Sequence, residues 1–424
     1  MRDVSCPDGW SMVKLSDLGE VNRGRSRHRP RYAEHLYGGP YPFIQTGDIR
    51  LSNGRITSHT QTYSEAGLAQ SRLWPTGTMC ITIAANIAET AILTYPACFP
   101  DSVVGFVADP SKANVYFIEY MFRRLKSAIQ HQASGSVQDN INLATLDRLR
   151  FPLPPLQEQH AIANVLCGLD DKVHHNRQTA EMLERLAQTI YRAWFVDFEP
   201  VKAKVAGEKS FASMPQSIFE ALPIRLVDSE MGPVPEGWET KRLDQVAHLT
   251  MGQSPSSEFY NQDGEGLPFH QGVTDYGFRF PEHRVYCTTD GRRAEPNDIL
   301  LSVRAPVGRI NIADRRLVLG RGVAGLRHRK GHQSFLLYQL AHVFAEEDAI
   351  GDGTVFKSVT KQFLAGMPFI VPTDNIERAF EDLVRPFDEL ISIKEAETRK
   401  LLMLRDYLLP RLLSGKVGVE AIHG

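Results

Sequence analysis

Two loops in this sequence carry residues suited to holding an anion or the edge of a base. "SVRAPVGRI" (302–310) sets Arg304 and Arg309 on either side of a Pro-Val-Gly turn, and "NRGRSRHRPR" (22–31) holds five arginines, Arg23 and Arg25 among them, and no acid. The planar guanidinium fork pairs with a phosphate or with the O6 and N7 of guanine, and asparagine suits adenine. Asn86, in "AANIAET" (84–90), belongs to a turn of the same kind. Residues 279–330 carry twelve Lys/Arg against five Asp/Glu, although the whole chain has a net charge of only −2. That distribution argues against indiscriminate attraction to polyanions and leaves two readings of the basic clusters: phosphate-facing patches, or a solvated surface.

Catalytic chemistry is not apparent. There is no GxxxxGK[ST], HExxH or GxSxG pattern, no [DNS]PP[YF] of an amino-group DNA methyltransferase, and "GDGTVFKS" (351–358) lacks the spacing of a dinucleotide loop. The fourteen histidines, including His174 and His175, show no ligand spacing, and the five cysteines form no CxxC pair. No catalytic residue, bound metal or cofactor is expected of this chain. No apolar run reaches membrane-spanning length and the N-terminus has no signal-like apolar core, so a cytoplasmic protein without a membrane partner is expected.

The elements that must position these loops come in two copies. "CPDGWSMVKL" (6–15) returns as "VPEGWETKRL" (234–243) at an offset of 228, matching Pro7, Gly9, Trp10 and Leu15. Further on, Gly135, Val137, Leu146, Phe151 and Pro154 recur as Gly353, Val355, Leu364, Phe369 and Pro372 at a single offset of 218. Five identities in twenty positions exceed the one or so that composition would give. A chain of 424 residues is also too long for one core.

Each copy runs into a long helical pattern that we read as free of proline in its main stretch. Apolar positions step by four and three through Leu169, Val173, Ala180, Leu183, Ala187, Ile190 and Trp194, interrupted by Asn176. The equivalent seam is Phe387, Ile391, Lys394, Thr398, Leu401, Arg405, Leu408 and Leu412, with Leu383 and Leu404 expected to supplement it. A helix over about 158–195 would be roughly 57 Å long, and two such seams have an obvious partner in each other. Between the copies, 201–238 reads as a connector with one or two short helices. The expected organisation is a first domain over 1–154, a long helix over 155–200, a connector over 201–233, a second domain over 234–373, and a second helix with its tail over 374–424. Within the domains, 78–93 and 298–314 read as β-hairpins.

If the helices pair antiparallel, the two domains fall at opposite ends of a rod with an approximate two-fold axis across it. DNA has such axes perpendicular to the duplex. Two similar but unequal domains at a fixed separation would read two different short sequences with an unread gap.

At this point the sequence resembles the specificity subunits of type I restriction-modification systems. The resemblance covers nearly the whole chain and is carried most specifically by "FPLPPLQEQHAIANVLCGLDDKVHHNRQTAEMLERLAQTIYRAWFVDFEPVKAK" (151–204), "DSEMGPVPEGW" (228–238), "DILLSVRAPVGRINIAD" (298–314) and "YLLPRLLSGKV" (407–417). It implies an α+β chain of two homologous mixed α/β target-recognition domains, joined by a long antiparallel two-helix coiled coil with an internal pseudo-two-fold. It further implies double-stranded DNA with a bipartite site and two methyltransferase subunits as partners, with S-adenosylmethionine bound by those subunits. Two restriction subunits that use ATP and Mg²⁺ would join them. Family recognition loops are similar to "PFIQTGDIR" (42–50), "LPFHQGVTDYG" (267–277) and "GTVFKSVTKQFL" (353–364). The resemblance therefore selects Gln45, Thr46, Asp48 and Arg50, together with Gln271, Thr274, Lys357, Ser358 and Lys361, as DNA-contacting candidates. Arg23, Arg25, Arg304 and Arg321 join them on charge and loop position. The specificity subunit of a type IIB-like system, a protein-binding coiled-coil scaffold, and a self-sufficient methyltransferase or nuclease are the alternatives.

Overall fold

The computed structural model describes residues 6–28, 30–134, 141–347 and 358–419. Lys357 and the repeat positions Gly135, Val137, Gly353 and Val355 lie outside these. Two compact units emerge, Met1–His174 with Arg399–Gly424, and His175–Thr398, so that each unit takes in part of both long helices.

The repeated opening motif is a turn followed by a closing strand. Trp10 and Trp238 each donate their N–H to the carbonyl three residues back, of Pro7 and Pro235, at 3.1 Å. The glycine between sits at φ 77° (Gly9) or 83° (Gly237), the left-handed geometry that position i+2 of a type II turn demands. The strand that follows, Ser11–Val13 or Glu239–Arg242, pairs antiparallel with the strand just before the long helix, Phe151–Leu153 or Pro368–Val371. Each domain is thus closed by its own first and last strands.

In the first unit, five strands lie in the order Gly19–Arg23, Val103–Ala108, Met79–Thr82, Thr90–Leu93, Arg55–Ile56. All neighbours are antiparallel except the last pair. The two-residue period of a strand explains why its residues serve two cores. Met79 and Ile81 join Phe117, Met121 and Phe122 of the helix Val115–Ser134, whereas Cys80 faces Trp74, Phe99 and Ile44 on the other side. The second unit repeats this with Ala247–Met251, Val323–His328, Ile299–Ser302 and Ile310–Ile312. Ile299 and Leu301 meet Phe335 of the helix Gln333–Glu347, and Leu300 meets Leu317 and Leu319. The hairpins expected at 78–93 and 298–314 are present. A second five-stranded sheet, 260–261, 286–287, 267–270, 317–319 and 293–294 in spatial order, distinguishes the second unit; the first has a two-stranded counterpart at Tyr37–Phe43 and Gln61–Tyr63.

The long helices are Leu156–Phe195 and Asp374–Leu412. Of the seam residues, Val173, Asn176, Ala180, Ala187, Ile190, Trp194, Ile391, Thr398, Leu408 and Leu412 are buried; Leu169, Leu183, Phe387 and Leu401 are half-buried. In the first unit Leu166 shares a core with Leu408 and Leu412, and Arg405 Nη1 donates to Asp170 at 2.9 Å. In the second, Asn176 Nδ2 donates to Glu397 Oε2 at 3.0 Å, and Trp194 lies edge-on to Phe380 at 6.0 Å. Within either unit, partner numbers fall along one helix as they rise along the other, which is the order of an antiparallel pair.

Three expectations need correction. Leu404 does not supplement the seam, being 45% exposed. The second helix is not free of proline: it runs through Pro386 and Pro410, which have no N–H to offer the carbonyls of Asp382 and Asp406. The connector contains the two short helices Glu199–Val205 and Gln216–Ala221, but also an unanticipated hairpin, Leu226–Ser229 with Gly232–Pro235, that runs across the expected boundary at 233. Its strands are four residues each, and the second is Gly-Pro-Val-Pro, a composition that reads as loop.

Candidate nucleic-acid interface

In the second unit six loops converge beyond the strand ends, held by backbone hydrogen bonds. Val303 N–H donates to Gly322 O (2.9 Å), Gly322 N–H to Gln271 O (3.0 Å), and Gly320 N–H to His270 O (2.8 Å). Gln253 N–H donates to Leu319 O (2.9 Å), Leu319 N–H to Arg292 O (2.7 Å), and Val359 N–H to Val303 O (2.8 Å). Arg304 and Ser358 form an antiparallel bridge. The crossing requires glycine: a Cβ on Gly320 or Gly322 would stand 2.6 Å from Gln271 Cα or 2.3 Å from Gln271 O. Arg321, between them, is exposed, and its N–H is anchored on Ser254 Oγ at 3.1 Å.

This junction gathers four of the expected residues, Gln271, Arg304, Arg321 and Ser358, all exposed. Lys361 follows at the first residue of the helix Lys361–Gly366, capped by Thr360. Thr274 is exposed in the turn Val273–Asp275. Gln253 and Arg292 were missed, although "GQS" at 252–254 matches "GRS" at 24–26 and marks the same loop in both repeats.

The charge count resolves on structure. Of the twelve basic residues in 279–330, Arg284, Arg293, Arg315, Arg316, Arg327 and Lys330 each have an acidic partner, and Arg329 donates to the Asp244 carbonyl. Arg279 is a core residue, 5% exposed, with Asp388 and Glu184 each at 2.6 Å and the Tyr338 hydroxyl at 2.8 Å. Burial pushes the Glu184 carboxyl up, against the pull of that arginine. Arg292, Arg304, Arg309 and Arg321 remain exposed without an acidic partner among the described residues. Three of them flank the junction through bonded backbones, and Arg309 shares the Arg304 loop. Charge that has no internal use is concentrated where the loops meet.

Behind the junction lies a buried polar chain. His270 Nε2 is 3.0 Å from His283 Nδ1, and His283 Nε2 is 2.8 Å from Asp314. Burial, reinforced by His283, drives the His270 pKa down to about 4, so the ring is neutral in the folded state at ordinary pH.

The first unit has the same backbone plan. Gly24 N–H donates to Val103 O (2.8 Å), Arg25 N–H to Phe99 O (3.1 Å), Ile83 N–H to Ser102 O (3.0 Å), and Ile141 N–H to Ile83 O (3.1 Å). Arg23 and Arg25 are exposed there. Asp101 stands where the second unit has Arg321, and it pairs with Arg31 at 3.0 Å. Gln45 and Thr46 line a cavity of about 160 Å³ with Ser26, Arg31, Tyr32 and Ser102. Asp48 caps the helix Thr46–Leu51, accepting from Gln45 N–H at 2.8 Å, so its carboxylate also has a local structural use. Arg50 Nη1 reaches Asn86 Oδ1 at 3.3 Å, joining two expected residues from different loops.

Away from either junction, His332, Asp374 and Glu377 converge, a group that no sequence spacing suggested. Burial raises the Glu377 pKa to about 7 and lowers that of the neighbouring His328 to about 4. Among the described residues, no helix is long and apolar enough to cross a membrane.

A profile described as the type I restriction modification DNA specificity domain matches twice, at residues 7–185 and 235–403. The chain belongs to this family. Each repeat is therefore one specificity domain, and the chain is a type I specificity subunit with two target-recognition domains. It is 32% identical to the putative type I restriction enzyme MjaX specificity subunit of Methanocaldococcus jannaschii, over 98% of this chain and 95% of the relative. It is 24% identical to the MjaIX specificity subunit of the same organism, over the same shares. The crystal structure of a type I S subunit from M. genitalium shares the fold at a TM-score of 0.65 and 14% identity, covering 97% of each chain.

Proposed function

We propose that this subunit is the non-catalytic reader of its restriction-modification complex, and that the two loop junctions are its DNA-contacting faces. The observation that carries this reading is the group of exposed arginines without acidic partners around the glycine-crossed loops of the second unit. The first unit repeats that plan with Arg23, Arg25, Gln45 and Thr46. Arginines of this kind supply phosphate contacts, and Gln271, Gln45 and Asn86 have side chains suited to adenine edges.

In this reading the two domains read the unequal halves of a bipartite site in double-stranded DNA, and the paired helices set the gap. The helices also dock two methyltransferase subunits, which bind S-adenosylmethionine. Two restriction subunits using ATP and Mg²⁺ complete the assembly in the cytoplasm. The two domains differ in the sheet that is five-stranded in the second unit and two-stranded in the first, as unequal half-sites would require.

The test is a genome-wide map of modified bases in the source organism with and without this gene. Loss of methylation at one split motif, with one modified adenine per half, supports the reading. An unchanged map from a transcribed, assembled system would overturn it.

A further inference from the structure

We propose that His332, Asp374 and Glu377 form a site for a zinc-class divalent cation that fastens the start of the second long helix to the second recognition domain. His332 Nε2 lies 3.4 Å from Asp374 Oδ1 and 3.8 Å from Glu377 Oε2. Ligand atoms about 2.0–2.1 Å from a tetrahedral Zn²⁺ are roughly 3.3–3.4 Å from each other, so a small inward movement would complete the cage. One imidazole and two carboxylates are a donor set that such an ion accepts.

The buried oxygen is the second, independent observation. Glu377 is 1% exposed, and its Oε2 has no hydrogen-bond donor. Nε2 of His328 and Nε2 of His332 each stand 3.8 Å from it. His328 accepts two backbone N–H groups at Nδ1, from Lys330 at 3.3 Å and His332 at 3.0 Å, which places its proton on Nε2, facing Glu377. At 3.8 Å His328 Nε2 is beyond hydrogen-bond distance of Glu377 Oε2, so the oxygen stays without a donor, while His332 is available to ligate. Asp374 is also held by Lys330 (2.8 Å) and Arg378 (3.0 Å). The Lys330 side chain is 59% exposed and can release Asp374 Oδ1 to water-facing solvent when a cation arrives.

The first repeat provides an internal contrast. At an offset of 218, Leu156, Asn114 and Gln159 stand where Asp374, His332 and Glu377 do. Gln159 accepts from Asn114 N–H at 2.9 Å and donates to Pro154 O at 2.9 Å, so the amide is satisfied with no ion. The second repeat has an acid where the first has this self-sufficient amide, and His332 where the first has Asn114, whose own amide is bonded to the His160 ring at 2.8 Å.

The experiment is a Co²⁺ titration of the chelator-treated full chain, followed by visible ligand-field absorption and by displacement with Zn²⁺. One saturable site per chain is expected, with a rise in the thermal midpoint on loading. Glu377→Gln, the side chain the first repeat tolerates, and Asp374→Asn, at a half-exposed position, should each weaken binding by at least about tenfold while circular dichroism stays unchanged. No saturable absorption in the wild type, or variants that titrate like it through adventitious histidines, would overturn the assignment.

Discussion

The Tyr120 hydroxyl donates to Asp170 at 2.7 Å, and 218 residues later the Tyr338 hydroxyl donates to Asp388 at 2.8 Å. Both aspartates lie on the long helices and both tyrosines on the helix that covers the sheet. Each domain is seated on its helix by the same bond. The cations added to it differ: Arg123 and Arg405 in the first unit, Arg279 from a recognition-domain loop in the second.

That seat gives the first prediction. Asp388→Asn leaves the buried Arg279 with Glu184 as its one carboxylate and should destabilise the second unit by about 3 kcal/mol, since breaking a buried pair costs far more than the pair contributes. A chemical-denaturation curve of the variant against wild type measures it. A change below about 0.5 kcal/mol would show that Arg279 reaches water when its partner is lost.

The second prediction concerns the exposed arginines. Arg321→Ala and Arg304→Ala should each weaken DNA binding across sequences and lower the slope of log affinity against log salt by about 0.9, the release of one phosphate contact. Fluorescence anisotropy of the assembled complex at several salt concentrations reads both quantities. An unchanged slope would remove the residue from the phosphate-contacting set.

A third separates shape from charge. Gly322→Ala changes no charge, but its Cβ would meet Gln271 O at 2.3 Å. The crossing loops must part, so specific affinity should fall at least about tenfold while binding to unrelated DNA holds, because base contacts specify and phosphate contacts do not. Competition with site-bearing and site-free duplexes distinguishes the two.

The fourth is a pH dependence from His270. Its folded pKa, about 4, lies below the ordinary 6.5, so the unfolded chain takes up the proton first. Stability from this group is complete above pH 6.5 and is lost as pH falls toward 4, on the order of 3 kcal/mol in all. His270→Gln should flatten that limb of a plot of thermal midpoint against pH. Glu377 has the opposite sign: its raised pKa, about 7, means stability is lost as pH rises from 4.5 through 7.

How much of this was legible depends on sequence distance. The seam of Val173, Ile190, Trp194, Ile391 and Leu408 is local, repeating every three or four residues, and its register follows from period alone. The hairpins around Asn86 and Arg304 are local too. Sequence alone does not single out Gly320 and Gly322, because their reason for being glycine is Gln271, some fifty residues away, and nothing beside them in sequence states it. In sequence Arg279 is indistinguishable from the exposed cations, because its acids are on two distant helices. His332 and Glu377 were invisible for the same reason, and Lys357 remains outside the described residues.

Ser11 faces Leu153, and Glu239 faces Val371, in antiparallel register. The two ends of each head are therefore one strand spacing apart, about 4.8 Å. Topologically a whole recognition head is a loop inserted between neighbouring strands, and replacing it leaves the path into the long helix untouched. An exchange of everything between those strands keeps both the register of the closing pair and the entry into the long helix.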